Sequence, residues 1–278
     1  MKLSSSHSFT KAFMPVALIA TFLCITPARA DDAEAKLANI LNADHRTEAY
    51  KARDQYRHPL ETLGFFGIKD DMTVVELIPG GGWYAEILAP FLKDNGVLYE
   101  AGNDPDSKRE FSRNSAARFK QKMDSHAAYS KVRLTVLEPP KTDIAPAGSA
   151  DMVLTFRNIH NWMRGGYADD VFAAMYKALK PGGILGVVEH RGNPDVQQDP
   201  EARSGYVNQA YAIQLAEKAG FRFVASAEVN ANPKDTKDHP KGVWTLPPSF
   251  AMKDEGREKY MAIGESDRFT LKFVKPAE

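Results

Sequence analysis

Three consecutive glycines follow a short β-branched segment that ends in an acid. The sequence from Thr73 to Pro90 is Thr-Val-Val-Glu-Leu-Ile-Pro-Gly-Gly-Gly-Trp-Tyr-Ala-Glu-Ile-Leu-Ala-Pro, an order that predicts a strand, a tight turn and a helix. Glycine adopts backbone angles closed to other residues and lets a ligand approach the main chain. The start of the following helix offers free N–H groups and a positive dipole end. We therefore predict that Gly80, Gly81 and Gly82 bind a nucleotide-like cofactor.

Two further groups of polar residues contain histidines. Arg157-Asn158-Ile159-His160-Asn161-Trp162 follows one predicted strand, and Glu189-His190-Arg191 ends the next. His160 is the best candidate for a general base, because the unperturbed pKa of histidine lies near neutrality. His190 could pair with it across a cleft and Asn158 could face the substrate, so we predict catalytic or substrate-binding roles for all three. Local capping, or a buried polar anchor, is the alternative interpretation of these segments.

Alternating strands and helices must position these groups. The pattern predicts an α/β fold with a doubly wound, mostly parallel sheet. The predicted strands are Met72–Ile78, Gly96–Ala101, Val132–Leu137, Asp151–Phe156, Ile184–Glu189, Phe221–Val229 and Phe269–Val274. Ligands of such sheets bind outside the carboxyl ends of the strands, near the point where the strand order reverses. The glycine turn and both histidine segments fall at such ends, which indicates one site.

The segments outside the strands are mostly helical in pattern. Residues 33–41 and 47–56 are predicted helices of an N-terminal extension, a helical cap over residues 31–60, and residues 201–219 are predicted as a long helix. Residues 230–267 have little periodicity and much proline and charge. We expect that last segment, with Trp244, Pro247 and Pro248, to help shape a substrate pocket.

These motifs together resemble the class I S-adenosylmethionine-dependent methyltransferases. The resemblance rests on Val74-Val75-Glu76 through Gly82, on Ala150-Asp151-Met152-Val153, and on Leu179-Lys180-Pro181-Gly182-Gly183. It implies a Rossmann-like sheet of seven strands whose last strand inserts antiparallel. Pro-Gly-Gly-Gly-Trp-Tyr and Phe-Arg-Asn-Ile-His-Asn-Trp more narrowly resemble an exported branch of predicted methyltransferases.

The resemblance also implies a cofactor and its contacts. S-adenosylmethionine would be the cofactor, with Glu76 orienting the glycine loop and the amino-acid part of the cofactor. Asn103 or Asp104 would hold the ribose hydroxyls after the second strand. The first motif departs from the family pattern, because Ile78 stands where glycine is usual and Pro79 follows it. The implied activity is methyl transfer to an unidentified small-molecule acceptor.

Two other functions fit the same residues. Gly80-x-Gly82-x-x-Ala85, with Asp104 about 20 residues further on, also satisfies a dinucleotide fingerprint, which would suit an NAD(P)-dependent oxidoreductase. A non-catalytic protein that binds a metabolite on a methyltransferase fold is the second alternative. The Leu-Lys-Pro-Gly-Gly turn and the predicted terminal pair of strands favour methyl transfer.

The first 30 residues have the pattern of a cleaved export signal. A basic start with Lys2 and Lys11 precedes the apolar stretch Phe13–Ile25, and Ala28-Arg29-Ala30 is a small-x-small cleavage sequence. The stretch is short for a membrane span. We therefore predict a periplasmic or secreted protein, with residues 31–278 as a single domain and no stable membrane insertion after cleavage.

Composition excludes several partners of the mature chain. Its only cysteine, Cys24, would leave with the signal, which excludes disulfides and thiol catalysis. Cleavage would also remove three basic residues and no acid from an otherwise balanced chain. The resulting slight negative charge argues against a nucleic-acid partner. The remaining histidines show no metal-ligand spacing such as His-x-x-x-His, so no metal site is predicted. The oligomeric state is left open.

Overall fold

A single sheet of seven strands forms the centre of the molecule. The computed structural model describes residue 1 and residues 28–277, so the predicted signal peptide lies almost wholly outside the described residues. The strands are β1 Thr73–Leu77, β2 Val97–Gly102, β3 Arg133–Val136, β4 Ala150–Phe156, β5 Leu179–His190, β6 Arg222–Ala227 and β7 Arg268–Val274. Their order across the sheet is β3-β2-β1-β4-β5-β7-β6.

The direction of the strands confirms the predicted fold class. Strands β1 to β5 pair in parallel, and β7 lies antiparallel to both β5 and β6. The order reverses between β1 and β4, which is where ligands of doubly wound sheets bind. Central strands of such sheets are covered on both faces and are therefore mostly apolar. Val74 and Val75, successive residues of β1 that point to opposite faces, are both fully buried.

Helices cover both faces of the sheet. Within residues 28–277, four precede β1: α1 Ala28–Leu41, α2 Glu48–Lys51, α3 Asp54–Arg57 and α4 Pro59–Phe66. The others are α5 Ala85–Leu92, α6 Glu110–Asp124, α7 Ile159–Gly165, α8 Ala168–Ala178, α9 Gln209–Lys218 and α10 Arg257–Ile263. One core holds side chains of α1, α4, α5 and α6 against the sheet, and the opposite core holds those of α7, α8 and α9. Among the described residues, none of the helices is long and apolar enough to cross a membrane.

Two predicted helices differ from the structure. The helix predicted over 201–219 begins only at Gln209, so its first eight residues are wrong. The Asp199 carboxylate accepts hydrogen bonds from the backbone N–H of Glu201 and Arg203, which closes a turn there. Val207 then pairs with Arg191 in an isolated β-bridge. The helix predicted over 47–56 is two short helices, α2 and α3.

The segment between β6 and β7 crosses the carboxyl ends of the strands. It contains a 3-10 helix at Gly242–Thr245 and then α10. Residues 243–249 cover a cavity there, as expected for the proline-rich segment, and Trp244, Pro247 and Pro248 all line that cavity. Part of the segment without a periodic pattern therefore forms one wall of this cavity.

Core packing against the sheet gives a direct test of this architecture. Phe172 of α8 is fully buried and meets Trp162 edge-on, with 6.2 Å between ring centroids. We expect Phe172→Ala to lower the free energy of unfolding by about 3–5 kcal/mol, because it leaves a cavity. Phe111→Ala is the control, since Phe111 is 75% exposed, and it should change stability by less than about 0.5 kcal/mol. Equal losses in urea titrations would contradict this core.

Candidate functional site

The turn after β1 is held in left-handed backbone conformations. Gly80 and Gly82 have φ angles of 60° and 81°, and Ile78 has a φ of 48°. A β-branched residue in this region is a genuine outlier and costs about 1–3 kcal/mol. Ile78 is fixed there by its backbone N–H, which donates to the Ala101 carbonyl at 2.8 Å. Backbone strain of this kind persists only where the surrounding structure fixes the conformation of the turn.

The three glycines of the turn face different surroundings. A Cβ at Gly80 would meet no heavy atom within 4 Å, so its backbone lies open. A Cβ at Gly81 would collide with the Tyr50 hydroxyl, which hydrogen-bonds the Gly81 carbonyl. One at Gly82 would press on Phe119 and on the side chain of Lys122. Of the three predicted cofactor-binding glycines, Gly80 is the one with open space at its Cβ position.

Two cavities meet at this turn. The first, of about 320 Å³, lies over the carboxyl ends of β1, β4 and β5. The second, of about 490 Å³, lies beside the ends of β2 and β3 and under α6. Ile78, Pro79 and Gly80 line both cavities. An elongated ligand can therefore lie across the glycine turn, with one end in each cavity.

The end of β2 separates the two candidates for a ribose contact. Asn103 lines the second cavity, together with Gly102, the last residue of β2. Asp104 does not line it, and its carboxylate pairs with Lys141 at 2.6 Å and accepts the Asp106 N–H. The hydrogen bond from Lys141 holds the pKa of Asp104 below its usual value. The geometry favours Asn103 as the residue that meets a ligand.

Two buried carboxyls face each other on β1 and β2. Glu76 and Glu100 are register partners and are 3% and 1% exposed. Burial raises the pKa of Glu76 to about 8, although the neighbouring Glu100 carboxyl, Arg57 and Arg157 oppose the shift. Burial, followed by the neighbouring Glu76, raises the pKa of Glu100 well above its ordinary value. Two carboxylates so placed cannot both ionise at neutral pH.

The predicted catalytic histidines lie together in the first cavity. Their ring centroids are 5.4 Å apart, and both residues line the cavity. The Nδ1 atom of His160 lies 3.1 Å from a carboxylate oxygen of Glu189, and Nδ1 of His190 lies 2.5 Å from Ser266 Oγ. A proton on Nδ1 of His160 would leave its Nε2 as a base. Burial, followed by the neighbouring His160, lowers the pKa of His190 well below its usual value, so that ring is neutral.

Asn158 and Glu189 hold this part of the site in place. The Asn158 amide donates to the Leu77 carbonyl at 2.9 Å and to Thr155 Oγ1 at 3.2 Å, which ties β1 to β4. Glu189 accepts the backbone N–H groups of Ile159 at 2.6 Å and His190 at 2.8 Å. The amide nitrogen of Asn158 thus has a positioning role, although the residue also lines the cavity.

Residues of metal-ligand type do meet here, which sequence spacing does not indicate. Potential ligand atoms of His160, Glu189 and His190 lie within 4.8 Å of one another. The Glu189 carboxylate is, however, occupied by backbone N–H groups, and Arg157 also lies in the cavity lining. Both features disfavour a cation, so the absence of a metal stays a prediction.

Several residues of the site carried little or no sequence signal. Tyr84 stacks on Phe156 at 3.5 Å between centroids and forms an aromatic wall. Glu265 and Ser266 reach the cavity from just before β7. Nothing in the local sequence pattern indicates Glu265 or Ser266, whereas aromatic residues next to a glycine turn, such as Trp83 and Tyr84, are compatible with a pocket wall.

Comparison with solved structures identifies the arrangement of strands and helices. A SAM-dependent methyltransferase from Aquifex aeolicus matches 87% of this chain and 98% of its own length, with a TM-score of 0.54 and 16% identity. The [4+2]-cyclase SpnF matches 89% of this chain and 94% of its own length, with a TM-score of 0.54 and 15% identity. A third match is phosphoethanolamine N-methyltransferase 2 of Haemonchus contortus in complex with S-adenosyl-L-methionine. It covers 86% of this chain and 60% of its own length, with a TM-score of 0.52 and 15% identity.

These similarities define the fold. The chain has the Rossmann-like fold of class I methyltransferases, with its one antiparallel strand next to the edge of the sheet. Neither protein-family models nor curated protein sequences match the chain. At identities near 15% the fold is established, and the activity must be argued from the site.

The carboxyl pair predicts a pH dependence of stability. The folded protein keeps the Glu76 proton up to a pH of about 8, whereas an ordinary carboxyl loses it near 4.5. The contribution to stability is therefore complete below the unfolded pKa and is lost as pH rises toward the folded pKa. The side chain introduced by Glu76→Gln does not titrate. As pH rises over this interval, the free energy of unfolding should therefore fall more for the wild type than for the variant.

Urea titrations across that pH interval measure the effect. The control is Glu61→Gln, because Glu61 is exposed on α4, and it should track the wild type at every pH. Parallel stability curves for the wild type and Glu76→Gln would show that Glu76 is ionised in the folded protein.

Proposed function

We propose that this protein transfers a methyl group from S-adenosylmethionine to a small-molecule acceptor. The observation that carries the proposal is the pair of cavities joined at Gly80, whose backbone lies open between them. A nucleoside would occupy the second cavity beside Asn103, and the sulfonium end would reach into the first. The fold similarity to S-adenosylmethionine-dependent enzymes supports the same assignment.

The residues present fit this cofactor in most respects. Gly80 offers close approach, Glu76, next to the final residue of β1, lines the first cavity, and Asn103 offers an amide just after β2. The fit departs from the family pattern at Ile78 and at Gly102, where β2 ends without an acid. S-adenosylmethionine, when bound, supplies an electrophilic methyl group on a sulfonium sulfur.

The residues of the first cavity would align and deprotonate the acceptor. His160, with Nδ1 directed to Glu189, offers Nε2 to take a proton from an acceptor hydroxyl or amine. Asn158 and Glu189 hold His160 and the adjoining strands in place. Tyr84 and Phe156 form a wall suited to a cationic sulfonium group or a planar acceptor. Alignment of the two reactants contributes much of the rate in such transfers.

Titration calorimetry with S-adenosylmethionine and S-adenosylhomocysteine tests the proposal. We expect the wild type to bind both ligands with micromolar dissociation constants, and Gly80→Asp to lose measurable binding because its side chain enters the joined cavities. Gly166→Asp is the matched control. Gly166 also has a positive φ, of 72°, and also has open space around its Cβ position, but lies at the end of α7.

The outcomes of this titration separate the hypotheses. Binding lost in Gly80→Asp and retained in Gly166→Asp supports the cofactor site, and formation of S-adenosylhomocysteine with a panel of acceptors would then establish turnover. Absence of binding in a folded wild type would contradict it. A nicotinamide cofactor bound in its place would favour the oxidoreductase.

We also propose that the protein acts in the periplasm or outside the cell. The support is the N-terminal sequence, with its basic start, apolar stretch and Ala28-Arg29-Ala30. Expression of the full chain in a bacterium, followed by fractionation and N-terminal sequencing, should give a periplasmic protein that begins at Asp31. A cytosolic protein with an intact N-terminus would contradict the prediction.

A further inference from the structure

The first cavity contains more cationic than anionic groups. Arg57, the last residue of α3, and Arg53, just before that helix, both line it. Arg157 lines it from the residue after β4. Glu265 is the acid that Arg53 and Arg57 share. Burial opposes its ionisation, but Arg268, Arg57 and Arg53 together hold the pKa of Glu265 at about 2. One carboxylate therefore faces several guanidinium groups.

The contacts of Glu265 leave part of this cationic cluster without partners. Its oxygens lie 2.5 Å from Nε of Arg53, 2.5 Å from Nη2 of Arg268, and 3.5 Å from Nε of Arg57. Nη2 of Arg53 and Nε of Arg57 are buried and have no hydrogen-bond partner in the described part of the chain. Arg57 is only 3% exposed. Buried donors without partners are costly and rare in folded proteins.

Arg157 increases the imbalance. Its backbone is left-handed, with a φ of 63°, and its N–H donates to the Val188 carbonyl at 2.7 Å. No hydrogen bond or ion pair of its guanidinium with another side chain occurs among residues 32–277. Burial, followed by repulsion from Arg268, lowers the pKa of Arg157 to about 10, which still leaves it charged at neutral pH. The side chain is half-buried and lines the cavity, so its guanidinium is available to an anion bound there.

The other carboxyls near the cavity do not supply that partner. Burial raises the pKa of Glu76 to about 8, so at neutral pH this carboxyl is mostly protonated. Glu189 is occupied by the backbone N–H groups of Ile159 and His190 and by His160. The cavity therefore has an excess of positive charge that the protein itself does not neutralise.

S-adenosylmethionine would not remove this excess. The cofactor carries one carboxylate but also an ammonium and a sulfonium group, so its net charge is positive. A second, anionic molecule would balance the cavity. Arginine pairs with carboxylates and phosphates through two parallel hydrogen bonds, which makes such groups its preferred partners.

We infer that the methyl acceptor, on the function proposed above, is a small molecule bearing a carboxylate or phosphate group bound by Arg53, Arg57 and Arg157. The anionic group fixes the acceptor's orientation beside His160, and the aromatic wall of Tyr84 and Phe156 contacts the rest of it. During transfer a bond forms between the acceptor's nucleophilic atom and the methyl carbon. The carbon–sulfur bond breaks, its electron pair stays on sulfur, and any proton of the nucleophile goes to His160.

Calorimetry with inorganic phosphate and with succinate tests the inference, each alone and with saturating S-adenosylhomocysteine. We expect at least one of these anions to bind the wild type and to remain bound beside S-adenosylhomocysteine. Arg157→Gln should weaken anion binding on the order of tenfold, as expected when a hydrogen-bonded charge pair is removed. Arg222→Gln is the control, because Arg222 is exposed at the first residue of β6, at the opposite edge of the sheet.

A second variant and a stability measurement keep the test decisive. Arg53→Gln removes a guanidinium from a different element and should also weaken anion binding, even if Arg157→Gln folds poorly. Arg157→Lys keeps the positive charge but not the planar guanidinium group. Its affinity for the anion should therefore lie between those of the wild type and Arg157→Gln. Urea titrations of each variant identify any that has lost the fold.

The possible results distinguish this inference from the proposed function. Binding of S-adenosylhomocysteine without either anion would overturn the anionic acceptor and leave the methyltransferase standing. Displacement of the anions by S-adenosylhomocysteine would assign the arginines to the cofactor's carboxylate and would also overturn it. Equal anion affinities in all variants would mean binding elsewhere on the surface, with the same consequence. Anion binding that depends on Arg157, in a protein that binds no S-adenosylhomocysteine, would retain the anion site and reject the methyltransferase.

Discussion

The buried carboxylate of Glu189 holds together the part of the molecule where the site forms. It is fully buried at the end of β5 and accepts backbone hydrogen bonds from Ile159, at the start of α7, and from His190. It also receives the His160 ring at 3.1 Å. Because these bonds tie the end of β5 to the segment after β4, the positions of both histidines depend on this one side chain. A charge-assisted arrangement of this kind is stronger than neutral hydrogen bonds.

Buried carboxyl groups near this edge of the sheet have pKa values shifted in opposite directions. On β1 and β2, Glu76 and Glu100 face each other in a dry environment, and the raised pKa of each keeps protons on the pair. Just before β7, Glu265 stays ionised because arginines surround it. The cationic groups are partly accommodated by aromatic rings, as where Arg57 lies 4.6 Å over the ring of Trp83. The balance that remains is positive, and this asymmetry is the feature of the site that bears most directly on a ligand.

The fold and the chemistry of the site are separate conclusions. Structures that share the fold at about 15% identity include a protein described as a methyltransferase and one described as a [4+2]-cyclase. The departures of this chain from the usual first motif, at Ile78 and Gly102, lie where a cofactor would contact the backbone and the ribose. The strained left-handed conformation of Ile78 shows that the turn keeps its shape without the usual glycine.

The sequence by itself determined the elements whose formation is local. Apolar runs fixed the central strands, the glycines fixed the turn after β1, and the resemblance of the motifs predicted the antiparallel last strand. It also placed Gly80, His160 and His190 at one edge, because parallel strands bring their carboxyl ends together. The predicted helix over 201–219 failed at its start, since the Asp199 turn outweighs the helical periodicity there.

Only the tertiary structure decided which charges meet. Arg53 reaches Glu265 across 212 residues of sequence, and Glu76 faces Glu100 only because β1 and β2 pair in one register. Asp104 is a candidate ribose ligand from its position, and only the structure shows that its carboxylate pairs with Lys141. Local patterns record propensity and burial, whereas a pKa or an ion pair depends on distances and solvent exposure that arise when remote segments pack together.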